Sequence, residues 1–104
     1  MGIKMIRREW KIEHDYKENY SEILMENLLP LRTKAGVTQE ELANIIGVSR
    51  QTYYALETNK RNMSWNTYLS LLLFFDTNVK THMMLRDINA YPTELMIKMS
   101  GTSK

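Results

Sequence analysis

A single glycine between two helix-start signals, within residues 38–49, constrains the fold of this chain more than any other feature of its sequence. Thr38 and Glu41 form the capping-box pattern, in which each side chain pairs with the other residue's free backbone N–H. An apolar run follows and ends at Gly47, which accommodates the left-handed conformation that stops a helix. Ser49 is then a favourable cap for a second helix. The pattern predicts two short helices joined by a tight turn.

The remaining sequence carries helix signals and no sustained alternation of the kind that marks a strand. Asp15 and Glu18 form a second capping-box pattern, and the apolar residues behind them recur at helical spacing as far as Ala35. Asn59 tolerates the left-handed conformation and is expected to end the helix that starts at Arg50. Three further helices are expected at residues 65–75, 79–88 and 93–99, started by Ser64, Asn78 and Pro92. The chain is therefore predicted to be all-α.

Pro30 interrupts the apolar pattern that precedes Gly36. Because proline has no backbone N–H and clashes with the preceding turn, it predicts a break in the helix. One interpretation divides an N-terminal helix from a short helix that ends near Lys34. In the other, Asn27 caps a fresh helix and Pro30 lies in its first turn. Gly36 ends the helix in both interpretations.

Composition limits the class of protein. The chain has 104 residues, which is room for one domain, and its lack of cysteine excludes disulfide scaffolds, zinc ribbons and thiol nucleophiles. Its net charge of +2 argues against indiscriminate binding of nucleic acid but allows a local basic patch. The longest apolar run, residues 71–75, is far below the roughly 20 residues that cross a bilayer, and residues 1–8 lack the apolar stretch of a secretory signal. We therefore expect a cytoplasmic protein with no membrane contact.

The two short helices predicted within residues 39–58 differ in what they expose. Apolar side chains stand where the helices would meet, whereas Arg50 and Gln51 lie at the outer start of the second helix. This arrangement is typical of the DNA-binding helix-turn-helix, whose second helix enters the major groove with its N-terminus first. The alternative is a plain αα-hairpin within a helical bundle. Such a hairpin has no reason to place Arg-Gln at an exposed helix start.

The same region resembles the Cro/repressor (Xre) helix-turn-helix family. The resemblance lies in LRTKAGVTQEELA at residues 31–43, in GVSRQT at residues 47–52, in the pair Leu56-Glu57 and in the triplet Lys60-Arg61-Asn62. It implies a compact five-helix domain, similar to that of the lambda repressor, which binds a palindromic operator as a homodimer. We assign this DNA-binding domain to residues 21–88, between an N-terminal extension (1–20) and a C-terminal extension (89–104).

Position by position, the resemblance implies which residues meet DNA. The base-reading positions correspond to Arg50, Gln51, Tyr54 and Ala55. The positions that hold the DNA backbone correspond to Gln39, Ser49 and Thr52 and, in the loop after the second helix, to Lys60, Arg61 and Asn62. The chemistry agrees, because arginine can bind guanine O6 and N7 and glutamine can bind adenine N6 and N7. The resemblance further pairs Glu57 with Arg32.

Three positions depart from the family's usual residues. Tyr53 stands where isoleucine or valine is common, so either the helices pack further apart or the hydroxyl reaches the rim. Met63 stands where proline is common, which loosens the expected geometry of the loop. Pro30 within the first helix is also unusual. None of these departures removes a base-reading residue, so the expected function is retained.

The function predicted from these features is sequence-specific binding of double-stranded DNA by a transcriptional regulator, most simply a repressor. An alternative is an antitoxin or a regulator-sequestering module, which would bind a protein partner through the terminal extensions. The methionine-rich C-terminal third of the chain leaves two interpretations open: a lid over the core, or a dimer or partner interface.

Patterns typical of catalysis are not found in the sequence. It contains no glycine-rich phosphate loop, no Ser-His-Asp order and no HExxH motif. His14 and His82 lie far apart in the sequence, and no set of metal ligands is clustered around them. We therefore expect no enzyme, no cofactor and no metal site.

Overall fold

Residues 5–102 are described in a computed structural model of the protein, and they contain helices and no strand. A 3-10 helix, Arg8–Trp10, precedes seven α-helices. These are α1 (His14–Glu26), α2 (Leu28–Ala35), α3 (Gln39–Ile46), α4 (Arg50–Glu57), α5 (Trp65–Thr77), α6 (His82–Asp87) and α7 (Thr93–Ser100). The all-α prediction is confirmed. The five helices that the resemblance implies for residues 21–88 are one too few, because six helices, α1 to α6, lie in that range, with α1 beginning before it.

The division falls at Asn27, between α1 and α2. The side chain of Asn27 donates to the backbone oxygen of Ile23 at 2.8 Å, so it closes α1 and makes no side-chain cap for α2. Pro30 is the third residue of α2, where its missing N–H removes no helical hydrogen bond. The structure thus confirms that Pro30 lies in the first turn of a fresh helix. Gly36 ends that helix with a φ of 79°, as predicted.

The local signals around α3 and α4 are confirmed in detail. The Thr38 hydroxyl accepts from the backbone N of Glu41 at 3.0 Å, and the Glu41 carboxylate accepts from the backbone N of Thr38 at 2.8 Å. Gly47 ends α3 with a φ of 82°. The Ser49 hydroxyl then caps α4 by accepting from the backbone N of Thr52 at 3.0 Å.

Two predicted helix starts are wrong. Asp15 does not cap α1, which begins one residue earlier, at His14, after Glu13. Asn78 does not cap α6, because its side-chain oxygen accepts from the backbone N of Lys80 at 2.9 Å and stabilises a turn. The helix starts only at His82. Asparagine side chains commonly form this local bond, which competes with helix formation.

The core is one apolar cluster to which all seven helices contribute. Helix α5 lies at its centre, where it packs against α1, α3 and α6. The fully buried side chains include Leu24, Leu28, Leu31, Leu42, Tyr53, Tyr68, Leu71, Phe75 and Leu85. Because α3 and α4 both bury residues in this cluster, the core fixes their relative orientation.

The segments on either side of the expected domain also pack on this core. The expected division between residues 20 and 21 lies inside α1, and the buried side chain of Leu95 brings α7 into the core. The backbone N of Leu95 donates to the hydroxyl of Tyr16 at 3.3 Å. The side chain of Lys98 donates to the backbone oxygen of Arg8 at 3.0 Å. Residues 1–4 and 103–104 of the expected extensions lie outside the described residues, and the division into three parts stays a prediction.

The C-terminal methionines divide between the two interpretations of them. Met84 and Met96 pack against the core. Met83 and Met99 are exposed, at 60% and 61% of their surface.

Within residues 5–102, no helix combines the length and the apolar character that crossing a bilayer requires.

Candidate nucleic-acid interface

The N-terminal end of α4 is the exposed part of the two-helix unit. Arg50 and Gln51 are exposed there, and Tyr54, one turn further on, is half-exposed. Together with Gln39, from the start of α3, they line an open cleft of about 310 Å³. The structure thus brings together three of the four predicted base-reading residues and one predicted backbone contact. Ala55, the fourth base-reading residue, is half-buried and does not line this cleft.

The side chains of Arg50 and Gln51 have no hydrogen bond or ion pair with any residue in the range 5–102. Their exposure at the first turn of α4 leaves the guanidinium and the amide available to a ligand. The helix N-terminus adds free backbone N–H groups, which favour anions such as phosphate.

Thr52 links the start of α4 to the loop that follows the helix. Its hydroxyl oxygen accepts from the Ser49 hydroxyl at 2.9 Å and from the Arg61 guanidinium at 3.4 Å. The proton of the Thr52 hydroxyl remains available for an outside acceptor, whereas the Ser49 proton is already engaged. Of these two predicted backbone contacts, Thr52 is therefore the better donor.

The loop between α4 and α5 carries the other predicted backbone contacts, Lys60, Arg61 and Asn62, and all three are exposed. Asn59 ends α4 with a φ of 61°, which confirms the predicted left-handed position. Asn62 lines a second cleft, of about 340 Å³, that reaches across to α1.

A basic residue of α1 at this second cleft was missed by sequence reasoning. Lys17 lines the cleft, and its ammonium nitrogen lies 5.5 Å from the ring centre of Trp65. No local pattern could have placed it there, because the contact depends on how α1 packs against α5.

Four side chains form a hydrogen-bonded group, which we call the Glu57 cluster: Arg32, Gln39, Tyr53 and Glu57. Of these, Gln39 also lines the cleft. The Glu57 oxygen Oε2 accepts from Arg32 Nε at 2.6 Å and from the Tyr53 hydroxyl at 2.6 Å. The other oxygen, Oε1, accepts from Gln39 Nε2 at 2.8 Å and from Arg32 Nη2 at 3.2 Å. The pair of Arg32 with Glu57 is confirmed.

The structure shows how the domain accommodates Tyr53 at a position where isoleucine or valine is common. Its side chain is fully buried, and its hydroxyl points to Glu57 and does not reach the rim. The contact was missed, although the spacing of four residues places both side chains on one face of α4.

The pKa values of the cluster follow from this geometry. Burial alone raises the pKa of Glu57, but hydrogen bonds from Arg32, Tyr53 and Gln39 outweigh it and leave the pKa below its ordinary value. Burial, and then the bond to the Glu57 carboxylate, raises the pKa of Tyr53. At neutral pH, Glu57 is therefore an anion and Tyr53 a protonated donor.

These observations define a class of protein. Two short helices joined by a left-handed glycine, with the second helix exposing polar side chains at its start, form a DNA-binding helix-turn-helix. Residues 31–78 match the family described as Helix-turn-helix, from within α2 to the end of α5. No curated protein and no solved structure matches the chain significantly. The matched region, slightly less than half of the chain, is a helix-turn-helix domain of the Cro/repressor (Xre) type, which is a DNA-binding domain of regulators.

Proposed function

We propose that this protein binds a specific double-stranded DNA operator through α4 and represses transcription by occupying a promoter. The observation that carries the proposal is the placement of Arg50 and Gln51. Both are exposed at the N-terminal end of α4, with no partner among residues 5–102, and they share a cleft with Gln39 and Tyr54. An arginine and a glutamine in this position match the donors and acceptors of guanine and adenine in the major groove.

Each predicted site residue has a role in this proposal. Arg50 binds guanine, Gln51 binds adenine, and Tyr54 meets a phosphate or a thymine methyl group, while Ala55 offers an apolar contact. The DNA backbone is held from both sides of α4, by Gln39, Ser49 and Thr52 at the helix starts and by Lys60, Arg61 and Asn62 in the following loop.

The operator in this proposal is a pseudo-palindrome bound by a homodimer. Two copies would place their α4 helices about 34 Å apart, which is one turn of DNA. A promoter site covered in this way is closed to polymerase, and repression is the simplest consequence.

The test starts with selection of bound duplexes from a random pool, which gives the operator and its symmetry. Arg50→Ala and Gln51→Ala are then titrated against the operator and its single-base variants. Each substitution should cost about 1–3 kcal/mol and relax the preference at one base position per half-site. The control is Lys80→Ala, in the turn between α5 and α6, which removes one positive charge as Arg50→Ala does. This variant should bind the operator as the wild type does. Unchanged affinity and base preference in both α4 variants would show that the base-reading assignment is wrong.

Exposed apolar side chains favour a second candidate, in which the domain serves an antitoxin or a sequestering regulator. Trp10, Ile97 and Met99 are all exposed, on the 3-10 helix and on α7. This candidate predicts a stoichiometric protein partner, whose binding is lost in Trp10→Ser or Met99→Ser. Failure of the wild type to bind any duplex at low salt, together with such a partner, would favour it over the repressor.

A further inference from the structure

We infer that Tyr53 is a positioning residue for the DNA backbone: its hydroxyl orients Glu57, and Glu57 orients the amide of Gln39 toward a phosphate. This inference rests on the proposed function, in which Gln39 holds the DNA backbone. Tyr53 itself is fully buried and cannot touch DNA.

The hydrogen bonds of Glu57 fix the carboxylate in one orientation. An ionised carboxylate offers about four acceptor positions. Four donors occupy them: two from Arg32, one from Tyr53 and one from Gln39, at 2.6–3.2 Å. Rotation of the carboxylate would break bonds on both oxygens, so each donor stabilises the positions of the others.

This fixed carboxylate also fixes the amide of Gln39. A carboxylate only accepts hydrogen bonds, so it must face the amide nitrogen of Gln39 and would repel the amide oxygen. One N–H of that nitrogen is bound to Glu57 at 2.8 Å, and the second N–H has no partner among residues 5–102. Gln39 also lines the cleft with Arg50 and Gln51, so its free donor belongs to the predicted DNA surface.

The Tyr53 hydroxyl fixes the orientation of the Glu57 carboxylate, which Arg32 alone would not fix. The guanidinium could hold the carboxylate equally well after a small rotation, because it offers several N–H groups. The Tyr53 hydroxyl is held by a rigid buried ring one helical turn before Glu57, so it marks a single position for Oε2. Without it, Glu57 can turn toward Arg32, and Gln39 loses the partner that orders its side chain.

The test uses Tyr53→Phe in the full chain, which keeps the ring and removes only the hydroxyl. Affinity for the selected operator should fall by about three- to tenfold, the factor that the loss of one hydrogen bond gives. The same substitution in a Gln39→Ala background should have almost no further effect. Base preference should stay unchanged, because Arg50 and Gln51 are untouched.

Tyr68→Phe is the matched control. Tyr68 is also fully buried, but its hydroxyl has no hydrogen-bond partner within the described part of the chain. The control should keep wild-type operator affinity. Titrations are made well below the melting temperature of each variant, so that lost stability is not read as lost binding.

A second measurement needs no DNA. The Gln39 amide proton that is bound to Glu57 should be protected from solvent exchange in the wild type, and its resonance should shift and lose protection in Tyr53→Phe. Wild-type affinity and an unchanged Gln39 amide in Tyr53→Phe would overturn the inference, as would an equal loss in the Gln39→Ala background.

The outcomes also separate this inference from the proposed function. If Gln39→Ala binds normally while Arg50→Ala does not, the positioning role is wrong and the operator-binding function stands. If the wild type shows no preference among duplexes, the proposed function itself fails.

Discussion

Arg32 joins three segments of the chain through one guanidinium, and its principal partner is Glu57. Its Nε and Nη2 groups donate to the Glu57 carboxylate at 2.6 and 3.2 Å, which ties α2 to α4. Its Nη1 group donates to the backbone oxygen of Val37 at 3.1 Å, just before α3. The side chains of this pair are only 16% and 5% exposed.

Because the pair is buried, Arg32→Ala should destabilise the protein by about 3–5 kcal/mol, since it leaves an unpaired charge on Glu57. Urea unfolding at neutral pH measures this loss. The double variant Arg32→Met with Glu57→Gln removes both charges and should recover much of it. A loss below about 1 kcal/mol in Arg32→Ala would place the pair in the class of weak surface bridges.

The lowered pKa of Glu57 predicts how stability depends on pH. A carboxyl whose pKa is lower when folded binds more protons in the unfolded chain, so its contribution to stability rises with pH. The contribution is complete above the ordinary value of about 4.3 and is lost as the pH falls through the lowered value. The free energy of unfolding of the wild type should therefore fall more steeply than that of Glu57→Gln below about pH 5. Parallel curves for the two proteins would contradict this assignment.

Glycine should be required at position 47 because of the backbone conformation there, and not because a larger side chain would lack space. A Cβ built on it meets no atom within 4 Å among the described residues, but its φ of 82° is unfavourable for other residues. Gly47→Ala should therefore cost about 1–2 kcal/mol and Gly47→Asn clearly less, because asparagine tolerates the left-handed region. Thermal melting of the two variants compares them directly, and an equal loss in both would point to a steric cause.

Tyr68 carries a buried hydroxyl with no hydrogen-bond partner within residues 5–102. Burial raises its pKa, so the group stays uncharged. Removing an unpaired polar atom from the core should be neutral or stabilising, whereas Tyr53→Phe, which leaves Glu57 with one donor fewer, should cost about 1 kcal/mol or more. Urea unfolding of both variants tests the contrast. A marked loss in Tyr68→Phe would show that its hydroxyl has a partner after all.

The loop after α4 should act through charge. Lys60→Ala should weaken binding to operator and random duplex by similar factors and should lower the slope of log affinity against log salt by about 1. Asn62→Ala, an uncharged neighbour, should leave that slope unchanged. Titrations at several salt concentrations measure both slopes. An unaltered slope in Lys60→Ala would remove Lys60 from the phosphate contacts.

What the sequence could predict depends on how local each feature is. The Thr38–Glu41 cap and the Gly47 turn involve neighbours in the chain, so their pattern determined their structure. Asn78 was misjudged because a turn and a helix cap compete for the same side chain, and only the packed structure decides between them.

The Glu57 cluster shows where sequence reasoning ends. Its members come from α2, α3 and α4, so its geometry exists only after the three helices pack. The family resemblance predicted the ion pair between Glu57 and Arg32. The bonds from Gln39 and Tyr53 depend on the tertiary arrangement, and for Tyr53 the sequence allowed two other interpretations.

The contact between the 3-10 helix and α7 has a consequence for the order of folding. Lys98 and Arg8, which it joins, are 90 residues apart, whereas α3 and α4 meet across a short turn. Chain entropy opposes closure of a long loop more than closure of a short one, and it must be overcome before the contact stabilises anything. We therefore expect the helix that is proposed to read DNA to form early in folding and the two flanking segments to dock on each other late.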